Sequence, residues 1–102
     1  MQQTSFPQLG VAASVIGVLA RRHIVTPTAV QAMVVPDGIA GHDVLAKAPT
    51  GSGKTLAFGI PIVERLDPQA PRPAALVLVP TRELAVQVAE EIADVGRTKG
   101  LR

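Results

Sequence analysis

Residues 48 to 55 read Ala48-Pro49-Thr50-Gly51-Ser52-Gly53-Lys54-Thr55. The apolar run Val44-Leu45-Ala46 before them reads as a short buried strand, and Leu56-Ala57-Phe58 after them as the start of a helix. A strand feeding a glycine-rich turn into a helix N-terminus is the context of a phosphate-binding loop. Gly51 and Gly53 let the backbone curl and turn its N–H groups inward. Those groups, with Thr50 and Ser52 in the same turn and the positive end of the helix dipole, face an anion. Lys54 is placed to reach the β- and γ-phosphates, and the Thr55 hydroxyl to ligate Mg²⁺. An ordinary turn built of Gly, Ser and Thr is the competing reading. The order Gly-Ser-Gly-Lys-Thr behind an apolar strand favours the phosphate loop.

Working outward, the chain is 102 residues long, the size of one small domain. Its apolar share of 47% supplies a core that is aliphatic, because Phe6 and Phe58 are the only aromatic residues. With so few rings there is no base-stacking platform. The absence of cysteine excludes a disulfide framework and a Cys-ligated zinc site within these residues. A formal charge of +2 permits contact with nucleic acid without arguing for it. His23 and His42 stand alone, at no metal-ligand spacing, and read as surface residues. The apolar stretch 9–20 is too short to span a bilayer, and Arg21-Arg22 follow it where a signal cleavage site should lie. It reads as a buried helix of a cytoplasmic protein without membrane association.

The pattern divides the chain into residues 1–40, an extended lead-in and two helices, and residues 41–102, an α/β segment. Helices are expected over 11–22 and 28–40, the second broken near Pro36-Asp37-Gly38. The run Ala74 to Val79 has no polar residue, as in a strand buried on both faces of a parallel sheet. The Pro-rich stretch 67–73 is the loop entering it. Pro80 stops the strand and Thr81 is placed to cap a last helix, with Leu84, Val88, Ile92 and Val95 on one face and Gly96 at its end. Strand, helix, strand and helix together form one right-handed βαβ unit.

Two further segments carry a family resemblance. Residues 80–85 read Pro-Thr-Arg-Glu-Leu-Ala, and residues 27–31 read Pro-Thr-Ala-Val-Gln, with Phe6 upstream. Together with Ala48 to Thr55, in this order and spacing, they resemble motif Ia, the Q motif and motif I of the DEAD-box RNA helicases. Ala48, where the general phosphate-loop pattern has Gly, is the version the large helicase superfamilies carry. The resemblance covers essentially the whole chain. It implies a partial RecA-like phosphate-loop domain, its βαβ unit preceded by a helical Q-motif region. It also implies ATP and Mg²⁺ as cofactors, and as partners RNA, held by its backbone without sequence preference, and the remaining lobes of a longer helicase.

By that resemblance Gln31 reads adenine, its amide donating to N7 and accepting from N6. Thr28 supports that loop and approaches the phosphate loop. Phe6 packs the lead-in across the nucleotide pocket, and Ile24 touches the base. Thr50, Gly51, Ser52, Gly53, Lys54 and Thr55 cradle the phosphates and metal. Pro80, Thr81, Arg82 and Glu83 form the RNA-backbone contact at a helix N-terminus, which fixes position and reads no bases. Each has a plainer alternative: Gln31 as a solvated helix residue, Phe6 as a hydrophobic anchor, Thr81 as a helix cap, Arg82 and Glu83 as a solvated face.

The chain also departs from the family pattern. His23 and Ile24 stand where Gly and an aromatic are usual, Pro49 where Gln is common and His42 where Arg is common. Pro49 removes a backbone donor from the loop. The 102 residues contain neither an Asp-Glu-Ala-Asp motif nor a Ser-Ala-Thr motif. The expectation is therefore an N-terminal fragment of an ATP-dependent RNA helicase. By itself it is expected to lack turnover, because the metal-holding carboxylates and the second lobe's arginine fingers are missing. A free-standing nucleotide- or RNA-binding module is the alternative, and an unrelated phosphate-loop kinase or transporter ATPase a third reading that Pro-Thr-Arg-Glu-Leu-Ala disfavours.

Overall fold

The computed structural model describes residues 5–47 and 53–100, Thr98 by its backbone alone. Its order is a 3₁₀ turn at Pro7–Leu9, helix α1 (Ala13–Arg21), α2 (Ala29–Ile39), α3 (Lys54–Arg65), α4 (Arg82–Gly96) and a closing 3₁₀ turn at Arg97–Lys99.

Helix α1 buries Val15, Val18 and Leu19, an i, i+3, i+4 stripe. Its end explains one departure from the family pattern. Ile24 N–H donates to Leu19 O at 2.8 Å, His23 N–H donates to Ala20 O at 3.0 Å, and His23 sits at φ 62°. This is a Schellman ending, whose left-handed residue is ordinarily Gly. His23 thus occupies a position that glycine fills without strain.

Helix α2 is continuous through Pro36 and Gly38, contrary to the expected break. Packing against α3 explains this. A Cβ on Gly38 would lie 2.6 Å from Pro61 Cγ, so the two helices touch at backbone distance there. Proline sits close enough to the C-terminus of α2 for the following carbonyls to find donors: Pro36 O still accepts from Ala40 N–H at 3.0 Å. The close approach of α2 and α3 outweighs local propensity.

One core gathers Phe6, Leu9 and Val11 from the lead-in, Val15 and Leu19 from α1, Val35 from α2, Leu56, Ile60 and Val63 from α3, and Val95 from α4. Val30, Val34 and Ala57 form a satellite where α2 meets the first turn of α3. In α4, Val88 and Val95 are buried while Leu84 and Ile92 are half-buried, so the expected face is there but incompletely covered.

The expected βαβ unit is not present as a hydrogen-bonded sheet among the described residues: neither 43–47 nor 74–79 carries a strand ladder. Side chains of 76–79 nevertheless alternate in exposure. Val77 and Val79 are half-buried, facing a groove of about 670 Å³ shared with Ile62, Leu66, Val88 and Ile92. Leu76 and Leu78 are 81% and 85% exposed, and Leu45 fully so. That is the pleat of a strand lacking neighbours. A βαβ crossover joins parallel strands, but a ladder needs the two at about 4.8 Å or another strand beside each.

Candidate nucleotide and RNA-backbone site

The N-terminus of α2 is built by Thr28 and Gln31. The Thr28 hydroxyl accepts from Gln31 N–H at 3.3 Å, and the Gln31 amide oxygen accepts from Thr28 N–H at 3.0 Å. This reciprocal pair is a capping box, legible in the sequence as Thr28-x-x-Gln31. It satisfies two of the orphan donors at the helix start.

Gln31 does more than cap. Its Nε2 donates to Gly53 O at 3.1 Å, across 22 residues of sequence. Gly53 is the N-cap of α3, at φ 83°, and its carbonyl accepts the first intrahelical bond from Ala57 N–H at 3.2 Å. A Cβ at Gly53 would stand 2.5 Å from Gln31 Nε2 and 3.0 Å from Thr28 Oγ1. Glycine is therefore required twice, for the left-handed backbone and for the close approach of α2. The side chain of Gln31 is buried, 2% exposed, the sole buried polar residue among those described. It is no solvated helix residue. Its amide uses one donor and one acceptor here and retains one of each.

Lys54 and Thr55 open α3 directly after this clamp, Lys54 exposed and Thr55 half-buried. The helix dipole and the uncapped N–H groups of the first turn point the same way. Thr50, Gly51 and Ser52 lie outside the described residues. Thr28 lies against the start of α3, 3.0 Å from where a Cβ on Gly53 would stand. Ile24 is half-buried and packs on the main core.

Phe6 lies in the core. Expected across the nucleotide pocket, it is 1% exposed inside the core with Leu9, Val11 and Val15. An aliphatic core with so few large residues takes up the one ring near the N-terminus. The plainer reading, a hydrophobic anchor, describes what it does in this structure.

At α4 the Thr81 hydroxyl accepts from Leu84 N–H at 3.1 Å, an N-cap as read from the sequence. Pro80, Thr81, Arg82 and Glu83 are all exposed, so this helix start is open to solvent. The direction of α4 follows from two contacts. Gly59 of α3 lies against Ile92, where an added Cβ would be 3.2 Å from Ile92 Cγ1. Further along both chains, Lys99 Nζ donates to Val63 O at 2.7 Å and Glu64 O at 2.8 Å. Both helices therefore advance together: α3 and α4 run side by side in the same direction. The starts of α3 and α4, Lys54-Thr55 and Thr81-Arg82, lie toward one end of the molecule.

His42 Nδ1 lies 3.4 Å from the Asp37 carboxylate at the surface. No group of three or more potential metal-ligating His, Asp or Glu residues occurs among the described residues. Among the described residues no helix is long and apolar enough to cross a membrane.

Comparison with known proteins bears on this arrangement. The family model described as DEAD/DEAH box helicase matches residues 28–102. The DEAD-box ATP-dependent RNA helicase CshA of Bacillus licheniformis is 51% identical over 75 residues, which are 74% of this chain and 15% of that protein. The ATP-dependent RNA helicase DeaD of Escherichia coli K12 is 47% identical over 92 residues, 90% of this chain and 15% of the relative. Among solved structures, a DEAD box protein from Methanococcus jannaschii superposes with a TM-score of 0.86 at 33% identity, covering 94% of this chain and 26% of the other. Saccharomyces cerevisiae Dbp5 bound to RNA and ADP-BeF₃ gives 0.82 at 29%, covering 94% and 25%. The chain thus spans about 15% of the curated relatives it matches. The order from Q motif through phosphate loop to Pro-Thr-Arg-Glu-Leu-Ala, the helices it produces and these matches lead to one conclusion: this chain belongs to the DEAD/DEAH box helicase family.

Proposed function

We propose that these residues are the opening part of the first lobe of an ATP-dependent RNA helicase, in which the starts of α3 and α4 hold a nucleotide and an RNA backbone side by side. The observation that supports the reading is the bond from Gln31 Nε2 to Gly53 O, which ties α2 to the helix that bears Lys54 and Thr55. Its support from outside is the likeness to Dbp5, whose structure holds RNA and ADP-BeF₃.

In this reading the free donor and acceptor of the Gln31 amide meet the adenine N7 and N6, while Nε2 keeps its hold on Gly53 O. Lys54 neutralises charge on the β- and γ-phosphates. Mg²⁺ takes only oxygen ligands in a near-octahedral shell. Thr55 offers one hydroxyl at the right place in the first turn, a fit for a metal otherwise held by phosphate, water and carboxylates from elsewhere in a longer chain. When bound, the ion would neutralise charge developing on the phosphates. Thr81 and Arg82, at the exposed start of α4, hold RNA phosphates through N–H groups and a guanidinium. The segments 43–47 and 74–79 become parallel strands once further strands of the lobe lie beside them, which buries Leu45, Leu76 and Leu78.

The test is a titration of the full-length protein with ATP and GTP analogues at fixed Mg²⁺, with and without single-stranded RNA. ATP binding that Lys54→Ala removes, and that RNA strengthens, supports the reading. Failure to bind either ligand overturns it.

A further inference from the structure

The end of α3 opposite the phosphate loop is a meeting point of the whole fold. Three consecutive residues of its last turns reach every other helix. Arg65 Nη1 donates to Ile39 O, at the C-terminus of α2, at 3.2 Å. The Glu64 carboxylate accepts from Ala12 N–H, the N-cap of α1, at 3.3 Å. The carbonyls of Val63 and Glu64 both accept from Lys99 Nζ. Those carbonyls belong to the final turn of α3, where no intrahelical donor remains. A half-buried ammonium there satisfies two of them at once and opposes the negative end of the helix dipole.

Lys99 is carried by the 3₁₀ turn that continues α4. It therefore ties the far end of α4 to the far end of α3. Between this tie and the ligand end, Ile92 lies against Gly59 with no side chain intervening. Contacts at mid-length and at one end oppose sliding of the two parallel helices past each other. Their starts are the two proposed ligand sites.

From this geometry we propose that Lys99 is a positioning residue: it locks α4 to α3, so that RNA held at Thr81 and Arg82 fixes the orientation of the helix that presents Lys54 and Thr55 to nucleotide. The proposal rests on the reading above that the two helix starts hold RNA and nucleotide. It touches neither ligand and acts through the helices.

The experiment measures, on the full-length protein, the affinity of a fluorescent non-hydrolysable ATP analogue with and without a single-stranded RNA oligonucleotide. The ratio of the two affinities is the coupling between sites. Lys99→Met keeps the aliphatic stem and removes the donor, and Lys99→Arg restores a donor to both carbonyls. The expected result is a coupling ratio reduced about threefold or more in Lys99→Met, nucleotide affinity without RNA little changed, and recovery of the ratio in Lys99→Arg. If Lys99→Met fails to fold, Lys99→Gln, which removes the charge, is measured in its place. An unchanged ratio in a folded variant, with or without a drop in Tm, overturns the proposal and leaves Lys99 a helix cap. If the unaltered protein binds both ligands without coupling, the proposal falls while the assignment of the sites stands. If it binds neither, the site assignment itself has failed.

Discussion

The contact of α2 with α3 and the segment from Ala74 to Val79 are both rich in apolar residues, yet they end in opposite conditions. Where α2 meets α3, Val35, Leu56, Ile60 and Val63 are 4% exposed or less, and the buried Gln31 amide is anchored to Thr28 and Gly53. In the second region Leu76 and Leu78 lie in water. Composition does not separate them; the partner each needs does. A helix closes its backbone hydrogen bonds internally and requires only a neighbour for its apolar stripe, which α1 to α4 give one another. A strand must find its backbone partners on other strands. The contrast separates helices that cover one another from a segment whose apolar side chains stay exposed.

The sharpest way to break that contrast is to delete side chains on each side of it. Ile60→Ala, in the closed core, should cost about 2–5 kcal/mol. Leu78→Ala should cost less than about 0.5 kcal/mol in the 102-residue chain, as at an exposed surface position. In a longer chain that supplies the neighbouring strands, the same Leu78→Ala should cost about 2–5 kcal/mol. Denaturant unfolding of both chain lengths checks this. An equal, small effect in both would mean that 74–79 never enters a sheet.

A smaller effect is expected at the clamp between α2 and α3. Gly53→Ala places a Cβ 2.5 Å from Gln31 Nε2 at a φ of 83°. The strain of a left-handed alanine alone is about 1–2 kcal/mol, and the displaced Gln31 amide adds to it. Thermal unfolding should show the loss, with nucleotide affinity falling as well. A fall in stability without one in affinity would separate the clamp from the phosphate site.

The smallest effect has the opposite sign. His23 closes the Schellman end of α1 at φ 62°, so His23→Gly should stabilise the chain by up to about 1 kcal/mol, relief of backbone strain exceeding the entropy glycine loses on folding. A lower Tm in His23→Gly would show that the imidazole itself contributes.

These positions also show what was legible in the sequence. The phosphate-loop pattern, Thr81 as a cap and the apolar faces of α1 and α4 follow from local chemistry, and helix limits agree to within two residues. Thr28-x-x-Gln31 carries a capping-box signature, yet the bond from Gln31 to Gly53 joins residues 22 apart and no local rule announces it. The helix through Pro36 and Gly38 was hidden for the same reason: the contact with Pro61 that sustains it is tertiary. Nothing in the sequence ties Lys99 to Val63 and Glu64, which lie 36 and 35 residues away. The sheet was read from two apolar runs that carry no strand ladder among the described residues. Likewise, without the Asp-Glu-Ala-Asp motif, these residues alone should release no phosphate from ATP above the level of a Lys54→Ala control.

The central claim is that Gln31 serves two masters, holding Gly53 with one donor and reading adenine with the donor and acceptor that remain. Titration of the full-length protein and its Gln31→Ala variant with ATP and GTP analogues at fixed Mg²⁺ tests it most directly. Loss of the clamp should weaken both nucleotides, and loss of the base contact should weaken ATP by a further 1–3 kcal/mol or so. Equal losses for ATP and GTP would contradict the account and leave Gln31 as a clamp on the phosphate-loop helix that never reads the base.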